Sequence, residues 1–149
     1  MINKRSRSGQ SLTEYALVFP IFLFMILSFL DLSRAIFYYS SLTNAVREAT
    51  RYAIVNKDEL TAAYNNPNNN SLQDKVLDYA FGLSGTSEPL TRNDIVVSPE
   101  KVDGLFTKVS IQATYTFRPI TPGLTFLIGT RDGINLTAQS KMLVSPGSK

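Results

Sequence analysis

The sequence predicts an α+β protein in which one long N-terminal α-helix packs against a small C-terminal domain containing an antiparallel β-sheet. Three observations carry this prediction. Residues 15–30 form an uncharged, almost wholly apolar run. Residues 31–53 contain no Gly or Pro and keep apolar side chains near helical spacing. Farther along, residues 107–117 alternate strictly between apolar and polar side chains, the period of a half-buried strand.

Residues 10–30 come first. They number 21, which at the helical rise gives about 31 Å, the thickness of a bilayer's hydrocarbon core. Pro20 removes one hydrogen bond and crowds the carbonyl of Ala16, so a kink is expected there, of a kind that membrane helices tolerate. The helix is expected to continue beyond the membrane. Leu32, Ile36, Tyr39, Leu42, Val46, Ala49 and Ala53 form a stripe, with Arg34, Arg47, Glu48 and Arg51 between them. A helix from Ser11 to Ala53 would be about 65 Å long, and its outer half needs something to pack on.

The rest of the chain supplies that partner. Residues 65–70 read as an Asn-rich loop, with Ser71 capping a short helix that has Asp74 in its first turn. Leu72, Val76, Tyr79, Ala80 and Leu83 give its apolar face, and Gly82 or Gly85 closes it. Strands are expected at residues 107–117 and 134–144. A shorter one at 94–98 is joined to the first through the Asp103-Gly104 turn. The connection 118–133 carries Leu124, Phe126, Leu127 and Ile128, expected to tuck over the core, with contact to another subunit as the alternative. The domain boundaries follow as a basic leader at 1–9, a membrane segment at 10–30, an amphipathic helix at 31–55 and an α+β head at 56–149.

Charge excludes one class of partner. The chain has a formal net charge of +3, and Lys4, Arg5 and Arg7 account for all of it, leaving the chain beyond Gly9 neutral. Elsewhere the cations are interspersed with Asp and Glu, with no basic stripe to follow a phosphate backbone, so nucleic acid is not an expected partner. There are no cysteines and no histidines. That removes disulfides, thiolate chemistry, the usual zinc sites and every triad that needs an imidazole. An enzyme would have to work with paired carboxylates, and Glu88, Asp94, Glu100 and Asp103 show no such constellation. No catalytic residue, metal or cofactor is expected.

The leader admits three mechanisms. A cleaved signal peptide needs small residues after the apolar run, and Leu30-Asp31-Leu32-Ser33-Arg34-Ala35 is a poor match. A signal anchor stays uncut. Cleavage on the cytoplasmic side, before the helix, would leave the helix in the mature protein. In the last two cases the positive leader keeps the amino terminus in the cytoplasm and sends the head across.

Gly9 followed by Gln10-Ser11-Leu12-Thr13-Glu14-Tyr15 resembles the prepilin-peptidase site of Flp-type pilins of the tight adherence (Tad) system. With its head of roughly a hundred residues, the chain resembles the TadE-like minor pilins, or pseudopilins. The stretch Asn44-Ala45-Val46-Arg47-Glu48-Ala49-Thr50-Arg51-Tyr52-Ala53 is also similar to one typical of TadE-like proteins. The resemblance covers about the first third of the chain well, and the rest only in outline. It implies a cut between Gly9 and Gln10, which makes Glu14 and Tyr15 the fifth and sixth mature residues.

The resemblance also implies that the Glu14 carboxylate meets the new α-ammonium of Gln10, most usefully on a neighbouring subunit, so that assembly neutralises two charges in apolar surroundings. Another reading stays open. Ser11 to Glu14 is also a capping-box pattern. Arg47, Glu48 and Arg51 read as a solvated or head-facing cluster, with a subunit contact as the sharper alternative. The expected function is a minor pilin or pseudopilin of a Tad (Flp, type IVb-like) pilus, acting in assembly, adhesion or secretion. Its partners would be a prepilin peptidase, other pilins, Tad assembly-platform proteins and the inner (cytoplasmic) membrane. The alternative is an uncleaved, signal-anchored extracytoplasmic binding protein.

Overall fold

A single helix, α1 (Ser6–Val55), accounts for 50 residues and is about 75 Å long. The computed structural model describes residues 6–67, 71–86, 88–121 and 133–145, with side chains from Gly9 onward. The tip of the leader, part of the Asn-rich loop and the apolar connection with Leu124, Phe126, Leu127 and Ile128 lie outside the described residues. The helix passes through Pro20 as one element. It begins earlier than the sequence pattern suggests, so Ser11 sits inside it and cannot cap its start. In the uncut chain Ser11 and Glu14 therefore do not form a capping box at the helix start. The helix runs through Gly9 without a break, and the Thr13 hydroxyl donates to the Gly9 carbonyl at 3.0 Å within the turn.

Asn56 ends α1 and starts the next element, since its amide donates to the Tyr52 carbonyl and its own carbonyl accepts from Glu59. The helix that follows, α2 (Lys57–Asn65), buries Leu60 and Ala63 and was not foreseen. Helix α3 (Ser71–Tyr79) buries Leu72, Gln73 and Val76. Ser71 begins α3 and donates its hydroxyl to Glu59 of α2, which ties the two short helices together. The buried Gln73 side chain donates to the carbonyls of Arg92 and Ile95, so α3 also fixes the entry to the sheet.

Three antiparallel strands follow in the order β1-β2-β3: β1 (Ile95–Val102), β2 (Leu105–Phe117) and β3 (Ile134–Leu143). The β1-β2 turn is the expected one. Asp103 and Gly104 have φ of 52° and 82°, the two positive values that a two-residue hairpin of matching twist requires. Strand β1 is longer than expected because Pro99 is harmless on an edge strand, and a bulge between Glu100 and Lys101 absorbs the break in alternation.

The core lies between the outer half of α1 and the inner face of the sheet. Leu42, Ala45, Val46, Ala49 and Ala53 supply the helix side, at spacings that put them on one face. Val109, Ile111, Ala113, Tyr115 and Phe117 supply the β2 side, as their alternation predicts. The alanines let helix and sheet approach closely. Tyr38 then closes the lower end of the core, its ring edge-on to Tyr115 at 5.5 Å and tilted against Phe117 at 6.0 Å.

Candidate functional site

The first half of α1 has no protein around it. Residues 9–26 are all exposed, among them Leu17 at 73 % and Met25 at 68 %. Among the described residues this is the one helix long and apolar enough to cross a membrane, and only 6 % of its most apolar stretch is buried. In water such a surface would be a large exposed patch; in a bilayer it is the ordinary lipid-facing surface.

The predicted processing residues sit on the bare end of this helix. Gly9 and Gln10 are exposed and helical, and nothing lies within 4 Å of where a side chain on Gly9 would be. The backbone there is therefore accessible but not extended. Glu14 is exposed on the same end with no ion pair among the described residues. Tyr15 is 65 % exposed and stacks on Phe19 with ring centroids 5.6 Å apart. The structure thus groups Gly9, Gln10, Glu14 and Tyr15 along two turns of one helix end.

The other predicted cluster lies far up the same helix. Arg47, Glu48 and Arg51 are exposed on the side of α1 opposite the core, and Arg51 approaches Glu48 at 3.7 Å. Both partners are well solvated, so this pair contributes little to stability. The cluster faces away from the sheet.

A different acid is tightly held where the bare half of α1 meets the head. Asp31, the first residue beyond the apolar run, is only 3 % exposed. Its Oδ1 accepts the Ile120 amide at 3.0 Å, and its Oδ2 accepts the Thr121 amide at 2.7 Å and the Thr121 hydroxyl at 2.6 Å. Arg34, one turn on, donates to Oδ1 at 3.1 Å. Burial alone would push the Asp31 pKa up. The bonds from Thr121 and the Ile120 amide, with Arg34 nearby, outweigh it and hold the carboxyl below its ordinary range. This carboxylate clamps the end of the β2 side of the head to the helix, 89 residues away in sequence.

Arg34 is in turn held over the rings of Tyr38 and Phe117, at 5.7 and 5.6 Å from their centroids. Sequence reading missed this arrangement. Its visible signal was an acid directly after an apolar run with a cation at i+3; its backbone partners carry no residue signature.

The remaining carboxylates are engaged individually. Glu88 pairs with Arg118 at 2.7 Å, Glu100 with Lys108 at 3.2 Å, and Asp94 accepts from the Thr91 amide and hydroxyl. Asp103 occupies the hairpin turn. Among the described residues no group of three potential metal ligands occurs.

Residues 9–51 match the family of TadE-like proteins, in agreement with the resemblance carried by the sequence motifs. The matched segment starts at Gly9 and ends at Arg51, and so takes in both clusters together with Asp31 and Arg34, while the clamp's partners Ile120 and Thr121 lie beyond it. A TadE-like segment suggests a protein associated with a Tad pilus. No curated protein and no solved structure matches the chain.

Proposed function

We propose that this TadE-like chain is a minor pilin or pseudopilin of a Tad pilus. In this reading residues 1–9 are a cytoplasmic leader removed by a prepilin peptidase after Gly9, and residues 10–30 anchor the mature chain in the inner membrane. The outer helix, 31–55, carries a head, 56–149, on the extracytoplasmic side. The protein acts by interaction, with other pilins and assembly-platform proteins as partners. The observation that carries the reading is one helix with two environments: a bare apolar half that lies within the family match and a second half that forms the core of a head.

Glu14 fits the assembly role because it is exposed at the bare end of the helix, one turn past Gln10. After cleavage the Gln10 α-ammonium of a neighbouring subunit would be its counter-charge. Peptidase access requires local unwinding, since the helix runs through the cut site. Gly9 lowers the cost of leaving the helix by about 1 kcal/mol relative to alanine.

Intact mass and amino-terminal sequencing of the protein from membranes, with and without the peptidase, test the proposal. A mature start at Gln10 that depends on the peptidase is expected. A Met1 start in both strains would contradict it and leave the uncleaved, signal-anchored binding protein, which the unbroken helix through Gly9 would suit.

A further inference from the structure

Where the bare half of α1 meets the head there is a groove of about 830 Å³, within the range of ligand sites, and its lining is mostly apolar. Leu27 and Leu30 form its lower wall, Phe37 its upper end and Ile120 one side. We propose that this groove binds a phospholipid of the surrounding bilayer, with an acyl chain against Leu27, Leu30 and Ile120 and the phosphate on Arg34. The proposal rests on the reading that residues 10–30 span the membrane.

Depth along the helix assigns the occupant. If the hydrocarbon ends near Leu30, the Ile120 backbone is held by the side chain of Asp31, the first residue beyond that boundary. The Ile120 side chain is nevertheless 71 % exposed. A rigidly held, uncovered apolar side chain at that depth faces lipid, not water. Arg34 lies four residues past Leu30, about 6 Å along the axis, and the polar layer of each leaflet is about 5–7 Å thick. Its backbone is therefore at the depth of the lipid phosphates, and its guanidinium, bonded one turn back to Asp31, lies within the polar layer with a fork of donors suited to phosphate.

Arg34 is also available for that contact. Asp31 is satisfied by three donors from Ile120 and Thr121, so it does not depend on Arg34 alone, and 36 % of the Arg34 side chain stays accessible. A second, polar hollow of about 430 Å³ shares Arg34 and Tyr38 with the groove and adds Ser84 and Thr86. An apolar trough that opens past an arginine into a polar hollow has the polarity profile of a lipid, from chain to headgroup.

The absence of native cysteine makes the test clean. Full-length Leu23→Cys, Ile120→Cys and Leu105→Cys proteins, each labelled with a fluorophore, are reconstituted in phosphatidylethanolamine–phosphatidylglycerol vesicles that contain a nitroxide either near the lipid glycerol, to report on Ile120→Cys, or midway along an acyl chain, to report on Leu23→Cys. Quenching is expected at Ile120→Cys, several-fold above that at Leu105→Cys on the distal hairpin, with Leu23→Cys marking the bilayer interior. Native mass of the unlabelled protein should show a retained phospholipid that Arg34→Gln loses several-fold and Arg34→Lys largely keeps. Quenching at Leu23→Cys with Ile120→Cys as dark to the quencher as Leu105→Cys would overturn the proposal and leave the spanning reading intact. No quenching at Leu23→Cys would overturn both. Energy transfer between labels at Ile120→Cys without lipid quenching would give the groove to a second copy, and phospholipid retention indifferent to Arg34→Gln would remove the phosphate contact; either result overturns the proposal.

Discussion

Residues 15–30 and 42–53 belong to one helix and both are rich in apolar side chains, yet they meet opposite surroundings. In the upper segment five aliphatic residues on one face, Leu42 to Ala53, are essentially sealed, while Arg47, Glu48 and Arg51 occupy the other face. In the lower segment the apolar residues run all round the helix, and residues up to 26 are all exposed. Amphipathic patterning marks a helix that must pack on protein and still face water; all-round apolarity marks one whose solvent is lipid. Asp31 sits at the changeover, and its clamp holds the head to the helix at the point where one regime gives way to the other.

The comparison can be broken from either side. The largest effect is expected from Leu42→Ala, which leaves a cavity beneath the sheet and should destabilise the head by about 2–5 kcal/mol in denaturant unfolding, with membrane retention unchanged. Its mirror image is Leu23→Arg. That change should cost about 2.5–3.5 kcal/mol of insertion and deplete the protein from the membrane fraction, while whatever is made keeps a native head. If either substitution produced the other's phenotype, the division between the halves would fail.

Asp31→Asn probes the changeover itself. It keeps the shape but loses the charge that accepts the Ile120 and Thr121 donors, at an expected cost of about 1–3 kcal/mol. Because the folded pKa lies below the ordinary 3.8, the stabilisation is complete above that value and is lost as pH falls through the lower folded one. Arg34 and Thr121 face this carboxyl and do not titrate in that window, so the wild-type acid limb should be steeper than that of Asp31→Asn in unfolding measured against pH. The smallest effect is expected at Arg51→Ala, below about 0.5 kcal/mol, since its pair with Glu48 is solvent-exposed. A defect in pilus assembly with stability unchanged would mark that cluster as a subunit contact.

Much of this was legible in the residues, for reasons that differ by element. Strand β2 was readable because a strict alternation buries one face, and the hairpin because Asp103-Gly104 suits positive φ at both positions. Helix α2 was hidden because it buries only Leu60 and Ala63, too few to make a periodic stripe. The end of β1 was obscured by Pro99, Glu100 and Lys101, which an edge strand accommodates and a pattern does not reveal. The residues proposed for processing were legible as a motif, Gly9 to Tyr15. The Asp31 clamp was not, because two of its partners are backbone amides, which every sequence supplies.

The most direct measurement is labelling by a membrane-impermeant maleimide, applied from outside intact cells to single cysteines along α1. The positions are chosen so that the protein itself covers none of them: Leu17, Met25 and Phe29 below Asp31, and Tyr39, Glu48 and Val55 above it, all at least half exposed. Only lipid can then distinguish the two sets. Full labelling at the upper three with none at the lower three is the expected result. Equal labelling across both sets would show a helix lying in water along its whole length and would contradict the account.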